Sequence, residues 1–169
     1  SRYREGAQMQ AVPGVLLEFL SHQNFADMKY GLDPSFRFTA SRAIYKAMLK
    51  FLAYKNGTDY VVQPLPVKNF AAILTPDSKR VQLSWEPVAD ELEPTAVAKS
   101  YVLYKREGTD GFDEGTVIEG TKCEVEIQPG VIYGFKVVAL NEGGISFPSE
   151  ILSVGVSASP AAKRAKVMI

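Results

Sequence analysis

The chain has 169 residues, 46% hydrophobic and 22% charged, close to the globular averages of about 45–50% and about 25%, so one large or two small folded domains are expected. Lys and Arg together number 19 and Asp and Glu together 19, and this balance removes the basic footprint that sequence-independent binding of nucleic acid needs. Cys123 and His22 are the single cysteine and the single histidine, which excludes an internal disulfide and the usual zinc site of three or four ligands, so no cofactor is expected in this chain.

No apolar run approaches the roughly 18 residues of a membrane-spanning helix, and the N-terminus shows no charged-then-apolar leader. The start at Ser1 reads as a cut from a larger protein, so the missing leader says nothing about export.

The first predicted element is a strand. Gly14-Val15-Leu16-Leu17-Glu18-Phe19-Leu20 is apolar apart from one acid, follows Pro13 and precedes the polar loop Ser21-His22-Gln23-Asn24. A run without alternation suggests a strand covered on both faces, as in a parallel sheet. Asp33-Pro34 then supplies a helix cap followed by proline at the first helical position. Phe36, Ala40, Ile44, Ala47, Met48, Phe51 and Leu52 recur at helical spacing to about Tyr54, and Asn56-Gly57 predicts the stop. A lone strand and helix cannot bury their own apolar surface. Either this segment docks on the rest of the chain or its partners lie elsewhere in the parent.

Residues 58–67 contain Gln63-Pro64-Leu65-Pro66 and predict a proline-stiffened linker. Beyond it the period changes to two. Phe70 to Leu74, then Val81, Leu83 and Trp85, then Tyr101 to Tyr104, then Thr116 to Ile118, then Cys123, Val125 and Ile127, then Tyr133 to Ala139, and last Leu152, Val154 and Val156 are separated by Gly, Pro, Asn and Asp turns. About seven short strands punctuated in this way predict a β-sandwich. Residues 157–169 read as a linker, with Lys163 to Lys166 a solvated basic stretch and Lys166-Val167-Met168-Ile169 the start of a further domain.

The sandwich segment resembles a fibronectin type III domain. Leu83-Ser84-Trp85 with Pro87 is similar to that family's second strand, Tyr101 to Tyr104 to its third, Gln128-Pro129-Gly130-Val131-Ile132-Tyr133 to its tyrosine corner, and Asn141 to Gly144 with Ser146 and Pro148-Ser149-Glu150 to its last turn. The resemblance implies a mainly β fold: an immunoglobulin-like sandwich over 68–156, preceded by an α/β strand-helix fragment over 1–57. It assigns Trp85 and Tyr133 to the core and Tyr133 a hydroxyl that bonds back to the main chain.

Val12-Pro13-Gly14-Val15-Leu16-Leu17-Glu18, followed by Asn24 and Asp27, resembles the last strand of zinc-dependent N-acetylmuramoyl-L-alanine amidases. By that resemblance Glu18 is the catalytic glutamate, relaying a proton from zinc-bound water to the leaving amine. The family's metal ligands precede this strand, so any zinc would belong to the parent protein and this chain alone is expected to be inactive. The stretch Phe19 to Gln23 departs from the family's pattern. Read without the resemblance, Glu18 is a strand-end carboxylate bonded to main chain or to an arginine such as Arg4, His22 a loop imidazole, and Cys123 a small core residue.

The same domain order is similar to proteins labelled xanthan lyase in gut Bacteroidetes, although no lyase motif is present. Together the resemblances imply a fragment of an exported hydrolase, secreted or at the periplasm or cell surface, directed at peptidoglycan or another polysaccharide. In that protein the sandwich would serve as a spacer or platform among neighbouring domains. The alternative is a noncatalytic glycan-binding or scaffold module, in which aromatics such as Tyr104 and Phe112 stack on sugar rings.

Overall fold

The computed structural model describes residues 14–159. Arg4, the opening Val12-Pro13, the basic stretch Lys163 to Lys166 and the final Lys166 to Ile169 lie outside the described residues. The chain divides into two compact units, with the boundary between Leu52 and Ala53.

In the first unit, residues 14–20 belong to no strand, contrary to the expectation from their apolar run. A strand exposes a row of N–H and C=O groups that only a neighbouring chain segment can satisfy, and none among the described residues pairs with this one. Helix α1 (Phe25–Gly31) follows, capped by Asn24, and helix α2 runs from Pro34 to Asn56. The start of α2 is as predicted: the Asp33 carboxylate accepts from the Ser35 amide at 2.9 Å, and Pro34 opens the helix. Its end is fixed by Gly57 at φ 64°, a left-handed conformation suited to glycine. The predicted apolar face is covered only in part: Phe36, Ala40 and Ile44 are half-buried, Met48, Phe51 and Leu52 are exposed, and Ala53 is the buried residue of α2.

The second unit is an antiparallel sandwich. One sheet has the order β1 (Lys68–Leu74), β2 (Arg80–Glu86), β5 (Lys122–Glu126). The other has β4 (Thr116–Ile118), β3 (Ser100–Glu107), β6 (Ile132–Asn141) and β7 (Gly144–Ile145), with β8 (Leu152–Gly155) also pairing β6. Alternation places Val81, Leu83 and Trp85 from β2 against Tyr101, Leu103, Tyr133, Phe135 and Val137 from β3 and β6. Trp85 is 3% exposed and lies edge-on to both Phe70 and Tyr101, with centroids 6.2 and 5.4 Å away. The Tyr133 hydroxyl accepts from the Gln128 amide at 3.2 Å, forming the expected corner.

Two features depart from the sequence reading. A short strand, β7, forms within the segment read as the last turn and ends before β8, where Pro148 cannot donate to a ladder. Serine hydroxyls fill in: Ser146 Oγ accepts from the Ala139 amide at 2.9 Å and Ser149 Oγ from the Val137 amide at 3.1 Å. The later part of the 58–67 segment is also packed into the sandwich rather than free, with Val62 0% exposed and Pro64 and Val67 buried.

Candidate functional site

Glu18 is exposed and sits in the strandless stretch 14–20, so no strand end presents it to a cleft. Asn24 and Asp27, the two residues that follow it in the amidase-like spacing, build a helix entry. Asn24 Oδ1 accepts from the Ala26 amide at 3.0 Å, Asp27 Oδ2 accepts from the Ser21 amide at 3.0 Å, and the Asn24 amide donates to Ser21 O at 3.1 Å. Asn24 thereby caps the first turn of α1, and Asp27 ties the preceding loop to it. His22 is exposed in the turn between Ser21 and Asn24. Among the described residues no group of three or more His, Cys, Asp or Glu is placed to hold a metal ion, and no helix is long and apolar enough to cross a membrane.

Cys123 lies opposite Leu83 on β5 and packs against the core, and burial pushes its thiol above the ordinary range. Burial raises the Tyr101 hydroxyl in the same way. In the β1–β2 turn the Asp77 carboxylate is held below its usual value, first by the Thr75 hydroxyl at 2.6 Å and then by the Lys79 amide.

Two arrangements on the sandwich have the density of a site. The first joins the entry segment to the far end of β6. Asn141, buried, donates through Nδ2 to Val62 O at 2.9 Å and to Thr95 O and Val97 O at 3.2 Å each, while its Oδ1 accepts from the Gly143 amide at 2.8 Å. Thr95 Oγ1 accepts from the Val62 amide at 3.0 Å and donates to Glu93. Gly143 has no room for a side chain, because a Cβ there would stand 2.4 Å from Val61 O.

The second arrangement is on the outer face of the larger sheet. Tyr104 on β3 lies opposite Lys136 on β6, and Arg106 opposite Gly134. The β3–β4 loop lays Phe112 over this face. Asp113 pins that loop, its amide donating to Lys105 O and its carboxylate accepting from the Lys105 and Gly115 amides. Lys136 Nζ stands 4.3 Å from the Phe112 ring centre and 5.1 Å from that of Tyr104, and the Arg106 guanidinium 5.3 Å from that of Phe112. Arg106 lies flat across Gly134, where a Cβ would come within 2.6 Å of its Nε. Among the described residues neither Arg106 nor Lys136 has a carboxylate within ion-pairing distance. The sequence reading singled out both aromatics but missed the two cations, which share their face only because of the β3–β6 register.

No protein-family model matches the sequence, and no curated protein matches it. Among solved structures the chain is similar to the kinase region of twitchin from C. elegans, at 23% identity and a TM-score of 0.50, covering 60% of this chain and 18% of that one. It is also similar to a fibronectin type III domain of human origin, at 22% identity and a TM-score of 0.48, covering 61% of this chain and 87% of that one. The fifth fibronectin domain of Drosophila Lar gives 20% identity and a TM-score of 0.42 over 57% of this chain and 99% of that one. The chain thus spans less than a fifth of the twitchin chain it matches. The strand order, the core tryptophan and the tyrosine corner together give the second unit the fibronectin type III fold.

Proposed function

We propose that the sandwich is a noncatalytic spacer or platform module of an exported protein directed at cell-wall material or another polysaccharide. The observation that carries this reading is the fixed entry of the chain. Val62 is sealed under Asn141 and Thr95, and Gly143 admits the 61–63 backbone at a distance no side chain would allow. A module joined through a buried, hydrogen-bonded segment holds its incoming chain at a set exit point, whereas a solvated linker would let it swing.

The sequence resemblance supports the polysaccharide direction, the export and a hydrolase parent. Glu18 would be the catalytic carboxylate of an amidase core completed by the parent. Against that part of the reading, Asn24 caps α1 and Asp27 holds the Ser21 amide, roles that need no metal.

The test is amide hydrogen exchange in the chain and in Asn141→Ala. In the native chain the Val62 amide should be protected to the level of the β6 amides. The substitution strands three carbonyl acceptors, so a loss of about 1–3 kcal/mol is expected, with exchange at Val62 rising first. A Val62 amide already unprotected in the native chain would remove the fixed-entry reading.

A further inference from the structure

We propose that the face formed by Tyr104, Arg106, Phe112 and Lys136 is a binding site for acidic polysaccharide, taking a uronic acid unit. The inference deepens the polysaccharide-directed reading above and rests on it for the class of polymer. Its geometry is independent of the entry segment.

Two cations are placed on one sheet face by the pairing of Tyr104 with Lys136 and of Arg106 with Gly134. The aromatic rings hold them there: Phe112 is approached by both, and Tyr104 by Lys136. A ring attracts a cation through its electron-rich face but accepts no conventional hydrogen bond from it, so the N–H donors of the ammonium and guanidinium groups stay available. No carboxylate within reach neutralises either cation among the described residues, although the chain as a whole carries equal numbers of acidic and basic side chains. Elsewhere on the sandwich, Lys68, Arg80 and Lys105 each have an acidic partner.

The ligand chemistry follows from this combination. A free carboxylate fits the paired donors through charge-assisted hydrogen bonds. The half-buried rings of Tyr104 and Phe112 place apolar surface next to that charge, and the C–H face of a pyranose matches it. A uronic acid carries both on one ring, whereas inorganic phosphate or a neutral sugar carries one of the two. The site is also preorganised, since Asp113 fixes the loop bearing Phe112 and Gly134 leaves a bed for Arg106, which lowers the ordering cost of binding.

The experiment titrates the ¹⁵N-labelled full chain with tetragalacturonate, with maltotetraose and with inorganic phosphate, followed by amide shifts. Tetragalacturonate should perturb Tyr104, Arg106, Phe112, Gly134 and Lys136, and the binding should weaken as salt is raised. Lys136→Gln and Phe112→Ala should each weaken it by about fivefold, the scale of one exposed charge or ring contact. Gly134→Ala, which pushes Arg106 off its bed, should do the same while the thermal midpoint of Lys136→Gln stays at the native value. Absence of shifts on this face, equal binding of maltotetraose, equal affinity for phosphate, or full binding by Lys136→Gln would each overturn the proposal. Any of these results would leave the Val62 exchange measurement, and with it the spacer reading, standing.

Discussion

Residues 14–56 and the sandwich that follows both carry runs of large apolar side chains, yet they resolve them in opposite ways. In the sandwich, strands distant in sequence bury Phe135, Leu83, Val81 and Val137 completely between two sheets. In the first segment Val15 is 83% and Phe25 92% exposed, and α1 has no buried residue. The backbone explains why one of its elements forms and the other does not. A helix closes its hydrogen bonds within itself, so α2 needs no neighbouring segment to pair its backbone. A strand must borrow its partners, and the apolar run 14–20 has none among the described residues to borrow from. Apolar content alone therefore does not predict a strand.

The contrast can be broken most forcefully at Trp85. Trp85→Ala removes the ring wedged between Phe70 and Tyr101 and should cost the sandwich about 3–5 kcal/mol in urea unfolding, while the amide signals of α2 persist. A cost below about 1 kcal/mol would contradict its core position, and loss of both signals in one transition would show that the two regions do not behave separately. A smaller effect is expected at the corner: Tyr133→Phe deletes the acceptor of the Gln128 amide, for about 1 kcal/mol and faster exchange at that amide. An unchanged midpoint would show that the corner contributes shape but not stability. The smallest global effect belongs to Asn24→Ala. It should destabilise α1 by about 1 kcal/mol as a lost cap, seen as fraying of residues 25–31, and leave the sandwich midpoint where it was.

Much of the fold was readable because period-two alternation reports a two-sheet core directly. Val81, Leu83 and Trp85 all face inward, and the resemblance that fixed Tyr133 as the corner residue matched its observed bond. The helix bounds were readable for an equally local reason, since Asp33-Pro34 and Asn56-Gly57 act on their own neighbours. What escaped were relations across the chain. Asn141 looked like a turn residue, and nothing near it in sequence shows that its amide reaches back to Val62. Helix α1 escaped because Asn24 and Asp27 also fit a catalytic spacing, although an asparagine cap with an acid in the first turn is a helix-start signal. The candidate face was half readable: Tyr104 and Phe112 stood out as aromatics, but their pairing with Arg106 and Lys136 required the strand register.

The Asn141 clasp bears on how the domain is made as well as how it stands. Its bond to Val62 O joins residues 79 apart in sequence, among the most remote connections in the domain and therefore slow to close by chain diffusion. During synthesis residues 61–67 leave the ribosome long before Asn141 and Gly143 do, so their seat does not yet exist. A nascent chain halted just short of Asn141 should expose Pro64 and Val67 to protease, and release of the remaining residues should close that window.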